Sequence, residues 1–396
     1  MGNSTLPKRT VKARAKRAAK PRKSFPLFVH GGTRWCKKVL GKHRYFGSVK
    51  KDPEGVAALA RWELEKEYLK DGREPPAATD GLTVADGCNL FLQETEKLVE
   101  NGERAPRTLA DYVIVAKRLT KVFGRNRAIA DLTPDDFARL RTDFSRTRGP
   151  FALSGDIART KAIFNWLVEE AEKLPASPRY GGRFEKPNLR TLRIARAKGG
   201  VRMFERAQLW PMLYGAAQPL RSMILLALNA GLGNADVGRM SRANVNLKTG
   251  WLDFPRPKTG IARRVPLWIE TVDSLREWLE IRPAGKDADI DALMFTTARG
   301  GSWYKAVDDN PVAKETAKLL KRLGLHTRGL SFYSLRRTFR TIASESRDEA
   351  AADAIMGHAP NANDMASIYR QRVDDDRLQA VVDYVRRWLF PRPTVG

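Results

Sequence analysis

The chain has 396 residues, of which 42% are hydrophobic and 30% charged. This is enough apolar material for two or three packed domains and too much for a mainly disordered protein. Its 72 Lys and Arg residues exceed its 45 Asp and Glu residues, and the resulting formal charge of +27 favours a polyanionic partner, nucleic acid first among the candidates. No run of about 18 apolar residues occurs, so we expect a cytoplasmic, nucleoid-associated protein without a membrane span.

Residues 1–24 form a basic tail that shows no apolar periodicity. Sixteen Lys or Arg residues precede the first acidic residue, Asp52, so this end of the chain carries well over half of the excess charge. With nothing to bury, residues 1–24 are predicted to be disordered until phosphates neutralise them. A tail that only keeps the protein in solution is the alternative interpretation.

Residues 25–72 predict a small three-stranded sheet followed by one helix. The β-rich stretches FPLFVHGG, TRWCKKVL and HRYFGSV are separated by glycines, and a stretch with helical apolar spacing begins at Asp52-Pro53. Basic and aromatic residues interleave, which favours a sheet face that enters a DNA groove while basic side chains hold the backbone. The candidate DNA-binding residues are Arg34, Lys37, Lys38, Lys42 and Arg44. An ordinary sheet with a solvated basic face is the alternative.

Residues 80–175 predict a helical domain that follows a linker rich in proline, glycine and acidic residues at 71–81. Helical patterns occur at roughly 83–100, 107–123, 134–147 and 153–173. Thr133 followed by Pro134 and two aspartates is typical of a helix start. Residues 176–201 combine prolines and glycines with basic character, so we expect a flexible positive linker, as in a clamp that closes around DNA.

Residues 202–396 predict a larger, mostly helical domain with a β-hairpin, GWLDFPRPKTGIARRVPLW, that turns around Lys258. The stretch GLGNADVG lacks the strand and spacing of a dinucleotide-binding loop, so we expect neither ATP nor NAD. The two cysteines, Cys36 and Cys88, and the four scattered histidines show no metal-ligand spacing. No cofactor, metal site or disulfide is therefore expected.

Four residues of this last domain have types and an order along the chain that indicate a family. They are Lys258 in the hairpin, Arg336 in SLRRTF, His358 in MGH and Tyr369 eleven positions later. Residues 203–375 thereby resemble the catalytic domain of the tyrosine recombinases, the phage integrase family. The resemblance implies that Tyr369 is the nucleophile and Arg336 the second phosphate-binding arginine. It also implies that His358 donates a hydrogen bond to the phosphate or assists proton transfer, and that Lys258 is the general acid.

The resemblance also implies an overall architecture. It is similar to integrases that carry an arm-binding domain and a helical, SAM-like core-binding domain before the catalytic domain. The expected fold is mainly α with small β elements: a sheet-plus-helix arm-binding domain, a helical core-binding domain, and a mixed but mostly α catalytic domain.

Two positions depart from the family's pattern. Gly233 stands where the first phosphate-binding arginine is usual, and Tyr333 replaces the histidine of His-x-x-Arg. A phenol still hydrogen-bonds a phosphate oxygen but is a weaker proton shuttle. Three replacements for the arginine are open: the backbone amides of Gly233 and Asn234 at a helix N-terminus, a nearby arginine such as Arg239 or Arg242, or an arginine of a neighbouring protomer.

The activity that the resemblance implies is site-specific recombination through a 3′-phosphotyrosyl intermediate, to integrate or excise a mobile element. The expected partners are double-stranded DNA, further copies of the chain in a tetramer on DNA, and an accessory DNA-bending protein as a further candidate. Two alternatives are a catalytically silent DNA-binding protein, which Gly233 favours, and a type IB topoisomerase-like enzyme.

The chain after Tyr369 predicts a helix with one apolar face. The apolar positions are Leu378, Val381, Val382, Val385, Trp388 and Leu389. The family resemblance implies that this face docks on a neighbouring protomer, whereas packing within its own domain is the alternative.

Overall fold

The computed structural model describes residues 21–22, 24–72, 81–307, 309–358 and 372–391. The predicted basic tail, most of the linker at 71–81 and Tyr369 thus lie largely or wholly outside the described residues. The chain divides into two units, Met1–Leu192 and Arg193–Gly396. Within the described ranges, no helix has the length and apolar character that crossing a bilayer requires.

The first unit begins with an antiparallel sheet and one helix, as the sequence predicts. Strands β1 (Phe28–His30), β2 (Arg34–Val39) and β3 (Lys42–Ser48) pair in that order, and helix α1 (Val56–Lys70) follows. Asp52 starts the helix because its carboxylate accepts hydrogen bonds from the backbone amides of Val56 and Ala58. The buried rings of Trp35 and Trp62 belong to the core between sheet and helix.

The helical part of the first unit confirms the predicted helical patterns, with shifts of a few residues at the ends. Its helices are α2 (Val84–Glu100), α3 (Pro106–Phe123), α4 (Pro134–Thr147) and α5 (Pro150–Glu169). The start of α4 is the predicted one: the amide and the hydroxyl of Thr133 both donate to Oδ2 of Asp136, each at 2.9 Å. The apolar faces of the helices meet around Phe137, Phe144 and Phe164.

The prediction of a flexible linker at 176–201 is wrong for most of that segment. Phe184 is fully buried, and the rings of Tyr180 and Phe184 lie 4.9 and 5.3 Å from the ring of Phe137. Helix α6 (Leu189–Lys198) follows. Composition alone predicts a linker here, because the segment is rich in proline, glycine and charge. The two aromatic rings nevertheless bury enough apolar area to hold the segment against the helical bundle.

The second unit is built around helix α8 (Leu220–Ala230), in which every residue except Arg221 is buried. Asn229 joins this helix to the predicted hairpin: its amide donates to the carbonyl of Pro266 at 3.0 Å, and its oxygen accepts from the amide of Trp268 at 2.7 Å. The sheet consists of β4 (Val245–Asn246), β5 (Trp251–Asp253) and β6 (Arg264–Pro266), with β5 and β6 as the hairpin. The other helices are α7 (Arg206–Gly215), α9 (Asn234–Arg239), α10 (Ile269–Ile281), α11 (Ala288–Asp291), α12 (Pro311–Arg322), α13 (Phe332–Glu345), α14 (Glu349–Met356) and α15 (Asp375–Leu389).

The apolar face of α15 is buried in the core of its own unit. The indole N–H of Trp268 donates to the carbonyl of Val382 at 2.9 Å. Ion pairs join α15 to β6, α10 and the start of α14: Arg264–Asp375, Arg386–Glu270 and Arg377–Asp348. This packing supports the interpretation that the face is covered by its own domain, and docking on a neighbouring protomer stays a prediction. The physical reason is that Leu378, Val381, Val385 and Leu389 already have apolar neighbours.

A buried ion pair links the helical bundle to α1. Arg127 and Asp136 lie 2.6 Å apart with side chains only 7% and 3% exposed, and Arg127 also donates to the hydroxyl of Tyr68 in α1. Burial by itself would raise the pKa of Asp136, but hydrogen bonds from Arg127 and Thr133 outweigh burial and lower the pKa to about 2. The carboxylate therefore stays charged at any ordinary pH.

Replacing Asp136 by Asn should lower the free energy of unfolding of the first unit by about 3–5 kcal/mol, because the buried guanidinium loses its counter-charge. The contribution of Asp136 is present above its unfolded-state pKa of about 3.9 and is lost as the pH falls towards about 2, since its folded-state pKa is the lower one.

Urea unfolding at neutral pH measures this loss. The control is Asp135→Asn, because the ion pair of Asp135 with Arg183 is exposed on both sides. The control should change the free energy of unfolding by less than about 0.5 kcal/mol. Equal losses in the two variants would contradict a special role for the buried pair.

Candidate active site

Arg336 lies where three elements of the second unit meet. Its guanidinium, on α13, is 3% exposed and donates to the carbonyl of Gly231 at the end of α8. It also donates to the carbonyl of Met356 at the end of α14, at 3.1 Å, and lies 3.1 Å from Nε2 of His358. The predicted residues Arg336 and His358 are therefore in direct contact.

His358 has a partner at each ring nitrogen. Nε2 faces Arg336, and Nδ1 lies 2.9 Å from Oδ1 of Asp353. Because arginine only donates, Nε2 accepts, and the proton of the neutral ring sits on Nδ1 and is donated to Asp353. Burial is the largest cause that lowers the pKa of His358 from its ordinary value; the charges of Arg336 and Arg256 lower the pKa further, and Asp353 opposes them. The neutral ring thus presents a lone pair at Nε2.

The hairpin between β5 and β6 reaches the same turn. Lys258 is exposed in the hairpin turn. The hydroxyl of its neighbour Thr259 donates to the carbonyl of Gly357 at 3.2 Å, and Nη1 of Arg256 donates to the same carbonyl at 3.2 Å. The hairpin that carries Lys258 is therefore tied to the residue that precedes His358.

A buried carboxylate, Asp236 in α9, lies among the arginines. Its Oδ2 accepts the amide hydrogen of Gly233 at 2.8 Å, lies 3.4 Å from Nη1 of Arg263 and is 4.0 Å from Nη1 of Arg336. Arg263 is fully buried at the base of the hairpin and also donates to the carbonyl of Phe254 at 2.9 Å. Burial lowers the pKa of Arg263, and Asp236 opposes that effect, so the pair keeps the guanidinium charged.

Glycines end the two helices that accept from Arg336. Gly231 after α8 and Gly357 after α14 have φ angles of 60° and 61°, in the left-handed region. A Cβ on Gly357 would lie 2.8 Å from the side chain of Arg263 and 3.0 Å from Cβ of Arg256. Both the backbone and the space therefore require glycine in the MGH stretch.

The other predicted phosphate contacts have different partners. The amide of Gly233 is taken by Asp236, and the side chain of Asn234 donates to Asn310 at 3.3 Å. The guanidinium of Arg239 lies over the ring of Tyr304, 3.7 Å from its centroid. Tyr333 is 46% exposed at the start of α13. A Cβ on Gly233 would lie 3.9 Å from its ring.

Sequence reasoning missed Arg256, Arg263, Asp236 and Asp353. A signal was available for the two arginines, which flank Lys258 in the hairpin, and for Asp353, which lies five residues before His358. No cluster of three or more His, Cys, Asp or Glu side chains suited to a metal ion occurs in the described part of the chain.

The predicted DNA-binding residues of the first unit lie on both faces of the sheet. Lys38 pairs with His43 across the strands, and Lys37 pairs with Arg44, so the two pairs point to opposite faces. Lys37 is half-buried on the helix side, where its Nζ lies 5.6 Å from the ring centroid of Trp62. Lys37 therefore supports the sheet, whereas Lys38 is exposed.

The exposed face also carries the aromatic rings of His30, His43 and Tyr45, of which the sequence had pointed to Tyr45. The rings of His30 and His43 stack with centroids 4.6 Å apart, and the hydroxyl of Tyr45 lies 3.1 Å from Nδ1 of His30. The guanidinium of Arg34 lies over the ring of Tyr45 at 5.7 Å. With Lys38, these residues make an exposed basic and aromatic surface; Lys42 is exposed at the start of β3.

The contacts of His358 predict a pKa below the ordinary value of 6.5. NMR titration of its ring protons, assigned with His358→Gln, should give such a value, and Asp353→Asn should lower it further, because it removes the carboxylate that favours the cation. The stability that this histidine contributes is then fully present above about pH 6.5 and is lost as the pH falls through the folded-state pKa. A pKa above 6.5 in the unaltered protein would contradict the neutral ring.

The second unit, which holds this cluster of residues, matches a known protein family. The phage integrase family matches residues 209–375, which include Lys258, Arg336 and His358. None of the curated proteins compared with the chain matches it by sequence.

Among solved structures, a lambda integrase dimer bound to a COC′ core site is similar at 16% identity and a TM-score of 0.52, covering 89% of this chain and 98% of that one. A Tn1549 transposon integrase in complex with circular intermediate DNA is similar at 15% identity and a TM-score of 0.55, covering 75% and 98%. A lambda integrase tetramer bound to a Holliday junction has 16% identity and a TM-score of 0.50, with 85% and 96% covered.

These likenesses confirm the expected fold class, mainly α with small antiparallel sheets. The family match marks residues 209–375 as a phage integrase family domain, and the solved structures, at 15–16% identity, add the fold alone.

Proposed function

We propose that the protein is a site-specific DNA recombinase that cleaves and rejoins duplex DNA through a 3′-phosphotyrosyl intermediate, for integration or excision of a mobile element. The observation that carries the proposal is the contact between the buried guanidinium of Arg336 and neutral His358, inside a phage integrase family domain. The hairpin that presents Lys258 is hydrogen-bonded to the same turn. This is a group of cations suited to a phosphodiester, which is a poor electrophile surrounded by negative charge.

In the proposed reaction, Arg336 donates to the non-bridging oxygens of the scissile phosphate and stabilises the charge that builds up in the transition state. The phenol oxygen of Tyr369 forms a bond to phosphorus as the bond from phosphorus to the 5′ oxygen breaks. Once Arg336 turns from His358 to the phosphate, Nε2 of His358 is free to accept the phenol proton, and Lys258 gives a proton to the leaving 5′ oxygen. The new phosphodiester keeps the energy of the old one, so the 5′ hydroxyl of another strand reseals it by the reverse steps.

The proposed partners are double-stranded DNA and further copies of this chain. The net charge of +27 supports DNA binding. The lambda integrase on a Holliday junction is a tetramer, and this supports a tetrameric assembly on DNA for the present chain. In this proposal the sheet of the first unit contacts arm-type sites and its helical bundle contacts core-type sites. An accessory DNA-bending protein stays a prediction.

Covalent capture tests the proposal. The substrate is a library of randomised duplexes, each with a nick close to the intended cleavage position. Cleavage then releases a short fragment that bears the 5′ hydroxyl, and because this fragment diffuses away, the strand cannot be resealed and the covalent adduct is trapped. The unaltered protein should form adducts that survive denaturing detergent, and Tyr369→Phe should form none, because it lacks the nucleophilic oxygen. Tyr333→Phe is the matched control, since it removes a phenol oxygen at the edge of the site and should leave the adduct detectable.

Absence of any adduct with the unaltered protein would contradict catalysis and leave a DNA-binding protein as the function. The sequences captured would define the DNA site. Relaxation of a supercoiled plasmid without any recombinant product, once such a site is present in two copies, would favour the topoisomerase-like alternative.

The exposed surface of the sheet gives a separate prediction about DNA affinity. Lys38→Ala should weaken binding and reduce the slope of log affinity against log salt concentration by about 0.9, because one phosphate contact is lost. The matched control is Lys37→Met, in which an apolar stem still covers Trp62 while the charge is removed from the helix side. Titrations at several salt concentrations give both slopes, and equal decreases would show that the sheet does not meet DNA through this face.

A further inference from the structure

Among the residues that the structure describes, nothing local to position 233 accounts for its glycine. The φ angle of Gly233 is −94°, which any residue adopts, and a Cβ there would meet Oδ2 of Asp236 at 3.5 Å, an ordinary contact. Position 233 therefore has room for a Cβ that the chain does not carry. If the reaction is the one proposed above, on which this inference rests, a second cation for the phosphate has to come from another position.

Two nearby arginines have other tasks. Arg239 stacks on Tyr304, and Arg242 forms an ion pair with Asp291 at 3.0 Å. The backbone amide at 233 is also unsuited, because its hydrogen is donated to Asp236.

Arg256 is placed differently. Its Nη1 donates to the carbonyl of Gly357 at 3.2 Å, while Nη2 of Arg336 donates to the preceding carbonyl, that of Met356, at 3.1 Å. The two guanidinium groups are thus held on adjacent peptide groups immediately before His358. Arg256 is only partly buried and lies two residues before Lys258 in the hairpin. Its positive charge acts on both Arg336 and His358.

Arg263 supports this placement without sharing the task. It is fully buried and bound on one side by Asp236 and on the other by the carbonyl of Phe254. Its side chain lies 2.8 Å from where a Cβ on residue 357 would be, against the same turn that accepts from Arg256. Arg263 therefore fixes the base of the hairpin, and the hairpin positions Arg256.

We propose that Arg256 is the second phosphate-binding arginine of this site and supplies from the hairpin the guanidinium that position 233 lacks. Its ligand is a non-bridging oxygen of the scissile phosphodiester, opposite the oxygens that Arg336 contacts. A carbonyl acceptor is given up for an anionic one when DNA binds, so the exchange strengthens the hydrogen bond. The second arginine and the proposed general acid, Lys258, then lie on one hairpin.

The test measures the rate of covalent adduct formation on the captured nicked duplex. Arg256→Ala should lower the rate by about 10²- to 10³-fold, the usual effect of removing one preorganised donor to the transition state. The rate of Arg256→Lys should lie between those of Arg256→Ala and the unaltered protein, because an ammonium keeps the charge but not the paired donors. Arg239→Ala is the matched control and should stay within about threefold of the unaltered rate, since its guanidinium is stacked on Tyr304.

Two rescues separate a phosphate contact from a structural role. Gly233→Arg added to Arg256→Ala should raise the rate at least tenfold, because a Cβ fits at 233 and the new side chain restores a guanidinium. A duplex whose scissile phosphate is a neutral methylphosphonate should narrow the gap between Arg256→Ala and the unaltered protein. Failure of both rescues, or an Arg256→Ala rate near that of the unaltered protein, would overturn the role of Arg256 while recombination by the unaltered protein stands. An unaltered protein that forms no adduct on any duplex would overturn the proposed function and this inference together.

Discussion

Like charges are held close together at the centre of the second unit, and the rest of the domain is arranged to make that stable. Two unit charges about 6 Å apart repel by about 3 kcal/mol at an effective dielectric constant of about 20. Arg336 is held against such repulsion by the carbonyl ends of two helices, α8 and α14, where the helix dipoles carry partial negative charge. Asp236 supplies the full negative charge, chiefly to Arg263. The domain thus keeps its cations in place without DNA.

The hairpin connects this cluster to the remainder of the domain. At its base, Arg263 is buried, and the strand β6 is fixed to α8 through Asn229 and to α15 through the ion pair of Arg264 with Asp375. At its turn, side-chain hydrogen bonds from Arg256 and Thr259 tie it to Gly357. The base of the hairpin is thus buried, whereas its turn is exposed. This suits a proposed general acid that has to reach a leaving oxygen.

The elements that sequence reasoning identified correctly are those with local signals. Apolar periodicity found α2 to α5, Thr133 and Pro134 marked the start of α4, and the spacing of glycine and lysine marked the hairpin. Residue order along the chain brought out Arg336 and His358, which are in contact. Long-range pairing was the part that could not be found. Arg256 meets a carbonyl 101 residues away, and no local pattern in the sequence encodes that partner.

Errors in the sequence interpretation share one physical cause, which is burial that composition does not reveal. Two rings were enough to turn a segment that reads as a linker into part of a core, and an apolar helical face gave no sign of which surface covers it. The half-buried Lys37 and the exposed Lys38 are neighbours of the same type, and only the pairing of the strands separates them.

Gly357 carries no functional group, yet it decides whether the charged groups around it can assemble. A single methyl group at this position would clash with the side chains of both Arg263 and Arg256 and would therefore push the hairpin away from the end of α14. The tolerance of this chain to substitution should therefore be lowest at a residue that never touches a reactant. Steric fit, as much as charge, therefore limits which substitutions this cluster of arginines can accept.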